Sequence, residues 1–336
     1  MALDPFIRDT IVLPAVCAPM FLISNPAMVT AACKAGIVGA LPRHNARSFE
    51  LFESWLAQIR SDLDRFAEEN PGTRIGPVAI NLPTRMEPTD LTRHLDACQR
   101  YGVRLIISAV GNPAELARAV HDRGMTIFHD VTSFRFAEKA IAAGVDGLTC
   151  VGSGGGGHSG TIGHLALIPR IRRIFDGTLL MAGSISTGAA IRAAEILGAD
   201  LAYMGTRFIA TQEAAVDPAY ARMLVEGHSE DLMFTPDIAG VAANWLVPSM
   251  ERLGLDPANL PRPQTKGMGH DHLPPEVKPW SNLWSAGQGI DLIDDVPSIA
   301  DLVLRLRGEY VAACAQPSFA DVARLVDRAQ DAAGLQ

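Results

Sequence analysis

The sequence predicts an α/β fold, a (β/α)8 (TIM) barrel with an insertion or small cap after the eighth strand and helices at the C-terminus. Three observations support this prediction. Eight short apolar or β-branched runs recur at intervals of about one βα unit, helical patterns rich in Ala, Leu, Arg and Glu separate them, and the runs are almost continuously apolar. Such strands are typical of parallel sheets that helices cover on both sides. Eight units in about 200 residues favour a closed barrel over an open sheet.

Each strand and helix has its own signal. The predicted strands are the runs 11–20, 36–42, 75–82, 104–110, 126–131, 147–152, 177–183 and 201–208. Helices are predicted between them, for example over 112–124 and 132–144. In the second of these, Phe136, Ala140 and Ile141 are expected to share one face, and Gly144 is expected to end the helix.

The regular alternation stops near residue 214. Residues 214–285 are rich in Pro, Gly and His, and we predict an insertion or cap over the active site, without a core of its own. The barrel is then predicted to comprise residues 1–213 and 286–336. The chain ends in two predicted amphipathic helices, near 297–309 and 317–333.

Composition excludes several classes of function. The chain has 29 basic and 37 acidic residues, a formal charge of −8, and its few lysines are scattered, so binding to nucleic acid or to an anionic membrane is not expected. No run approaches the ~20 apolar residues that span a bilayer. The five cysteines lack metal-ligand or CxxC spacing. Together these features predict a cytoplasmic protein with reduced thiols and no metal site.

The ends of the last two predicted barrel strands suggest a phosphate site. The strands end in AGSIST and MGTRF, which place Gly183 and Ser184 beside Gly205 and Thr206. Barrels of this class often bind phosphate after strands seven and eight, where backbone amides approach an anion. Tight turns alone would also use glycine, but two such turns at the two expected positions favour a phosphorylated ligand.

The segment VGSGGGGHSG, residues 151–160, follows the sixth predicted strand. A flexible linker has no purpose inside a barrel repeat, whereas Gly156 and Gly157 would let a planar ligand lie against the backbone. His158 would face that ligand, and an imidazole can donate, accept or transfer a proton there. We therefore predict that His158 is catalytic or orients the substrate.

Other histidines are weaker candidates. His129 also lies at a strand end, where a structural hydrogen bond with the neighbouring Asp130 is equally plausible. His270 and His272 lie in an irregular loop without a third ligand at helical spacing, so we expect solvated side chains there.

The predicted strand ends lack lysine and contain few carboxylates, which disfavours Schiff-base aldolase and glycosidase chemistry. A phosphate site, one histidine and a glycine-lined cavity instead suit a cofactor that brings its own chemistry, and flavin mononucleotide (FMN) is the natural candidate.

Taken together, the motifs resemble a known family. They are APM at 18–20, VAINL at 78–82, the GGGGHSG loop, AGSIST, LGADLAYMGTRF at 197–208 and SAGQGIDLIDDVPS at 285–298. In this order, from about residue 14 to 308, the chain is similar to the nitronate monooxygenase (2-nitropropane dioxygenase) family, which also includes flavin enoyl-ACP reductases and NADH:quinone reductases.

The resemblance implies roles for individual residues. It implies that Asn81 hydrogen-bonds the polar edge of the isoalloxazine ring and that His158 is the active-site histidine. It also implies three groups of cofactor contacts: Ala18, Pro19 and Met20 along the ring, Gly183, Ser184, Gly205 and Thr206 at the phosphate, and Gly287 and Gln288 closing over the flavin.

The chain departs from the family pattern at two places. Family members often carry an acidic residue before the two loop glycines, where this chain has Gly154 or Gly155. A lysine found in some relatives after strand five corresponds to Asp130.

The resemblance implies oxidation of alkyl nitronates by O2 to a carbonyl compound and nitrite. Three alternatives stay open: an NAD(P)H-dependent reductase of a quinone or enoyl thioester, a non-redox isomerase or lyase that uses the same phosphate site, and a non-catalytic flavin-binding protein. The use of NAD(P)H and the formation of a homodimer are also left open.

Overall fold

Eight parallel strands form a closed barrel in a computed structural model, which describes residues 3–263 and 269–324. The strands of the barrel are β1 (Ala15–Cys17), β2 (Val38–Pro42), β3 (Val78–Asn81), β4 (Leu105–Ser108), β5 (Thr126–Val131), β6 (Gly147–Val151), β8 (Thr178–Ala182) and β9 (Leu201–Met204), and the short β7 (Gly157–His158) lies outside it. Pairing of β9 with β1 closes the barrel. Each strand of the barrel lies inside the run predicted for it, so the predicted fold class is confirmed.

Helices connect the strands and cover the barrel. They are α1 (Pro5–Arg8), α2 (Pro26–Lys34), α3 (Phe49–Glu69), α4 (Pro88–Arg100), α5 (Ala114–His121), α6 (Phe134–Ala142), α7 (His164–Arg172), α8 (Gly188–Leu197), α9 (Thr206–Ile209), α10 (Pro218–Glu226), α11 (Val247–Arg252) and α12 (Ile299–Cys314). Several begin at a side-chain cap; Ser48, for example, accepts a hydrogen bond from the Leu51 amide, which stabilises the first turn of α3.

The predicted face of the helix over 132–144 is wrong in one respect. In α6 the buried residues are Ala137 and Ala140, whereas Phe136 is 52% exposed. Phe134 and Ile141 pack partly buried against the core beside these alanines, whereas Phe136 lies on the exposed side of the helix.

The strand register arranges the interior of the barrel in layers of four side chains from alternate strands. One layer contains Val16, Ala79, Phe128 and Leu180, and the next contains Ala40, Ile107, Thr149 and Tyr203. Above them, at the carboxyl ends of the strands, lies a layer that we call the top layer, which contains Ala18, Asn81, Asp130 and Ala182. Apolar side chains fill the lower layers, and polar groups enter towards the top.

The segment after β9 contains a small sheet and a hydrophobic cluster. β10 (Leu232–Thr235) pairs antiparallel with β11 (Ala243–Leu246), which pairs with β7. Its cluster contains Ile238, Ala239, Ala243, Trp245, Met250, Leu255, Leu273, Val277 and Leu283. The prediction that residues 214–285 lack a core is therefore wrong. Its densest part is the apolar stretch 238–247, which only Asn244 interrupts, and its other members lie singly among polar residues.

Near the C-terminus, α12 confirms the helix predicted over 297–309 and continues to Cys314. It packs closely on α8, where Gly188 donates its amide to Glu309 Oε2 at 2.6 Å. Of the helix predicted over 317–333, residues 319–324 are helical, and residues 325–333 lie outside the described residues. Within the described ranges, no helix is both long and apolar enough to cross a membrane.

Candidate active site

Four glycine-containing segments meet at the carboxyl ends of β6, β8 and β9. We call them the glycine cradle: residues 154–156, 183–184, 205–206 and 287–288. The Gly154 carbonyl accepts hydrogen bonds from the Ser184 amide at 3.2 Å and from the Gln288 amide at 3.0 Å. The Gly287 amide donates to Thr206 Oγ1 at 2.9 Å. The structure thus brings together the predicted phosphate residues, Gly156 of the glycine loop, and Gly287 and Gln288.

Close backbone packing explains three of the six glycines of the cradle, Gly156, Gly183 and Gly287. A Cβ atom on Gly183 would lie 2.6 Å from the Gly155 nitrogen, and one on Gly287 would lie 2.7 Å from the Gly154 carbonyl oxygen. Gly183 also has a φ of +117°, and the next residue, Ser184, has a φ of +58°. A non-glycine residue in this left-handed region is uncommon, and such strain often occurs at functional sites.

Gly205 differs from the other glycines of the cradle. Its φ of −103° is open to any residue, and a Cβ atom there would contact only the Met20 side chain, with Sδ at 3.5 Å. Neither the backbone nor packing requires glycine at this position. Gly205 therefore leaves space beside Met20 and Thr206 that a ligand group can fill.

The residues predicted to bind the flavin ring lie in the top layer and directly above it. Ala18 and Asn81 belong to that layer, and the Ala18 amide donates to the Met204 carbonyl at 3.0 Å. Pro19 and Met20 continue from β1, and both are half-buried. Asn81 donates from Nδ2 to the Ile107 carbonyl at 3.4 Å. Predicted ring-binding residues therefore surround one end of the barrel, next to the glycine cradle.

His158 is held between the barrel and the segment after β9. It lies in β7, opposite Ala243 of β11, and its ring makes an edge contact with Trp280 at 5.2 Å between centroids. Its Nε2 atom is buried without a hydrogen-bond partner. Burial lowers the pKa of His158, so its imidazole is neutral at pH 7 and can donate or accept a proton.

Sequence reasoning did not find Asn244, which fixes the glycine loop. Its Nδ2 atom donates to the Gly155 carbonyl at 2.6 Å and lies 3.2 Å from Ser159 Oγ. A polar amide in the apolar run ANWL was the available signal, since a buried amide needs partners. A second contact that was missed is the stack of Tyr220 on Trp284, at 4.8 Å, which supports the chain just before Gly287.

The other histidines considered in the sequence do not join the site. His129 Nδ1 lies 2.8 Å from Ser108 Oγ, so its partner is Ser108 and not Asp130, and burial lowers its pKa to about 4. His270 is exposed, and His272 contacts the Asp237 carbonyl through Nε2 at 2.6 Å. Within the described ranges, no three His, Cys, Asp or Glu side chains group as metal ligands.

The missing acidic residue of the loop has a steric explanation. A Cβ atom on Gly154 would overlap Ser184 Oγ and would lie 3.3 Å from Gln288 Oε1. The serine and the glutamine therefore occupy the space into which a side chain at residue 154 would extend.

A closed barrel that gathers glycine-rich segments at the ends of its last strands has the architecture of the phosphate-binding (β/α)8 barrels. The family model for nitronate monooxygenase matches residues 6–309. The chain therefore belongs to the nitronate monooxygenase family, a family of flavin oxidoreductases, and it is an enzyme.

Individual relatives are more distant. The nitronate monooxygenase of Paraburkholderia phytofirmans is 26% identical over 299 residues, which cover 77% of this chain and 80% of the relative. A Rhodococcus jostii relative is also 26% identical, over 72% of this chain and 65% of its own length, and is named (3aS,4S,5R,7aS)-5-hydroxy-7a-methyl-1-oxo-octahydro-1H-indene-4-carboxyl-CoA dehydrogenase. The solved nitroalkane oxidase of Streptomyces ansochromogenes shares the fold, with a TM-score of 0.71 at 21% identity over 92% of this chain and 99% of that one.

Proposed function

We propose that this flavin oxidoreductase binds FMN and oxidises alkyl nitronates with O2 to a carbonyl compound and nitrite. The observation that supports the proposal is the meeting of the glycine cradle, the top layer and the loop of His158 at one end of the barrel. Membership of the nitronate monooxygenase family adds to it.

The residues at this end of the barrel fit FMN. Gly205 leaves open space beside Met20, the Ser184 hydroxyl and the Gln288 amide group lie beside Gly154, and the Thr206 hydroxyl lies beside Gly156 and Gly287, so these residues would hold the phosphate. Asn81 and the unpartnered Oδ1 atom of Asp130 would meet the polar edge of the ring. When bound, the flavin supplies the capacity to accept and pass on electrons.

His158 would bind the substrate. A neutral imidazole whose Nε2 atom has no protein partner can donate a hydrogen bond to an oxygen of the nitro group, or remove the α-proton where a neutral nitroalkane binds. Trp280 packs against the ring and would hold its orientation while it excludes water.

We also propose that residues 214–285 cap this site. β11 from this segment pairs with β7, so the segment is attached to the glycine loop through backbone hydrogen bonds. Asn244 makes the same attachment through its side chain. A substrate that reaches His158 would therefore contact both the barrel and the cap.

A second candidate is redox chemistry on an acyl thioester, with or without NAD(P)H. The Rhodococcus jostii relative is named as a dehydrogenase of a CoA thioester. In addition, Arg43, Arg47 and Arg85 follow β2 and β3, and none of them forms an ion pair with a described carboxylate. Arg43 donates from Nε to His94 Nε2 at 3.0 Å. Guanidinium groups without a carboxylate partner near the mouth of a barrel can attract the phosphates of such a carrier.

One anaerobic experiment separates these candidates. The purified protein with FMN is mixed separately with an alkyl nitronate, NADH, NADPH and a saturated acyl-CoA, and the visible flavin band is followed. Bleaching by the nitronate alone supports the monooxygenase. Bleaching by a nicotinamide or by acyl-CoA, without a response to nitronate, contradicts the monooxygenase. It supports the second candidate, redox chemistry on an acyl thioester with or without NAD(P)H. A protein that binds no flavin contradicts both.

A further inference from the structure

Asp130, placed above at the polar edge of the flavin ring, has no assigned protonation state or hydrogen-bond direction there. It is an inward-facing residue of β5 in the top layer, with Ala18, Asn81 and Ala182. Thr149 and Tyr203 belong to the layer directly beneath. A carboxyl group at this level lies between the apolar interior of the barrel and the surface where the flavin ring would rest.

The carboxyl group is poorly satisfied by the protein. Asp130 Oδ1 is shielded from solvent without a hydrogen-bond partner, and so is Oγ1 of Thr149, its neighbour in the register of β6. No described Lys, Arg or His nitrogen lies within 4 Å of it. Burial raises the pKa of Asp130 to about 7, and the nearby Thr149 hydroxyl, too far away for a well-formed hydrogen bond, offsets that rise only in part. The residue as a whole is still partly accessible, so it is open towards the end of the barrel.

We infer that Asp130 meets the polar edge of the bound flavin as a neutral carboxylic acid that donates a hydrogen bond to a ring acceptor, so that flavin binding retains one proton at this residue. The inference rests on the proposed binding of FMN. It assigns a cofactor-positioning residue that neither the glycine motifs nor His158 identified.

The donor role follows from complementarity with Asn81. The pyrimidine edge of an isoalloxazine ring offers one N–H donor, at N3, and otherwise acceptors. Asn81 donates from Nδ2 to the Ile107 carbonyl, so its Oδ1 atom is left to accept the N3 hydrogen. Asp130 then faces an acceptor, which a carboxylic acid can satisfy and a carboxylate repels. A carboxylic acid kept neutral in an apolar site can serve as a hydrogen-bond donor.

Other titratable groups around Asp130 stay neutral near pH 7. Burial raises the pKa of Tyr203, on β9, and raises that of Cys150, on β6, to about 12. On β5 itself, His129 faces Ser108 and has a pKa lowered to about 4. β4 contributes the apolar Ile107 to the interior. The pKa of His158 is lowered by burial, so it too needs a control.

The test is the pH dependence of flavin affinity. Apoprotein is titrated with FMN between pH 6 and 9, and the dissociation constant is read from quenching of flavin fluorescence. We expect wild-type affinity to weaken above about pH 7, approaching tenfold per pH unit as one proton is taken up on binding. Asp130→Asn keeps a donor but cannot ionise, so its affinity should not weaken above pH 7. The phosphate of FMN, which titrates near pH 6, is common to both proteins.

Controls make the outcomes distinct. Asp122→Asn removes an exposed carboxylate after α5 and should retain the wild-type slope, as should His158→Ala. Asp130→Ser provides a second neutral side chain if Asp130→Asn does not fold. A wild-type affinity that does not change with pH, or a slope that persists in the neutral variants, would overturn the inference while FMN binding stands. Absence of FMN binding at every pH would overturn the proposed cofactor and this inference together.

Discussion

The two halves of the candidate site are built differently. In the glycine cradle, backbone atoms of four segments contact one another so closely that most positions exclude even a methyl group. Around the top layer and His158, buried polar atoms lack hydrogen-bond partners, as Asp130 Oδ1, Thr149 Oγ1 and His158 Nε2 show. Close steric packing therefore defines the first half, and buried polar atoms without hydrogen-bond partners define the second. Substitutions should therefore affect folding and cofactor retention in the first half, and reaction and pH response in the second.

The largest effect is expected from Gly183→Ala. The new Cβ atom would lie 2.6 Å from the Gly155 nitrogen, at a φ of +117°, so the backbone of the cradle must move. We expect a loss of stability of on the order of 3 kcal/mol together with loss of flavin. Chemical denaturation and the visible spectrum measure the two effects. Gly163→Ala, at an open position before α7, is the matched control. Wild-type stability in Gly183→Ala would show that the cradle is not rigid.

Gly205→Val should weaken cofactor binding without destabilising the fold, because this glycine is not required by packing. The side chain meets only the flexible Met20, so the free energy of unfolding of the apoprotein should change by less than about 1 kcal/mol. The branched side chain would occupy the space assigned to phosphate, and FMN affinity should fall at least about a hundredfold, a cost of roughly 3 kcal/mol. A folded variant that retains its yellow colour would contradict the phosphate assignment.

His158→Ala tests the other half of the site. In the proposed site the cradle would hold the cofactor without the imidazole, so bound flavin should be retained while turnover falls by about 10²- to 10⁴-fold. Steady-state assays and the flavin-to-protein ratio distinguish the two effects, and the exposed His270→Ala serves as the control. Complete loss of flavin would assign His158 to cofactor binding instead.

The last prediction concerns the stability of the apoprotein and its dependence on pH. Burial raises the folded-state pKa of Asp130 to about 7, above its unfolded value. The group therefore contributes fully to stability below about pH 4, and that contribution is lost as pH rises to about 7. The difference in unfolding free energy between Asp130→Asn and wild type should grow over this range, by at most about 1.4 kcal/mol per unit of pKa difference. Urea unfolding at pH 5 to 8 measures it, and a constant difference would refute the shift.

The parts of the fold that sequence predicts are those with local signals. Eight buried parallel strands leave eight apolar runs, and glycines at two strand ends indicate a close backbone approach before any contact is known. Contacts between distant segments leave no such signal. The hydrogen bond from Asn244 Nδ2 to the Gly155 carbonyl joins residues 89 positions apart. The close approach of Ser184 Oγ to Gly154 likewise depends on two different loops. The misplaced Phe136 shows that a helical face read from periodicity is uncertain by one position.

The pairing of β7 with β11 couples the position of His158 to that of the segment after β9. His158 is itself a residue of the sheet that belongs to the segment after β9, so any displacement of that sheet carries the imidazole with it. If this segment caps the site as proposed, the displacement that admits a substrate would also move His158 out of alignment. The aligned arrangement would then be the one that has already shut out bulk solvent.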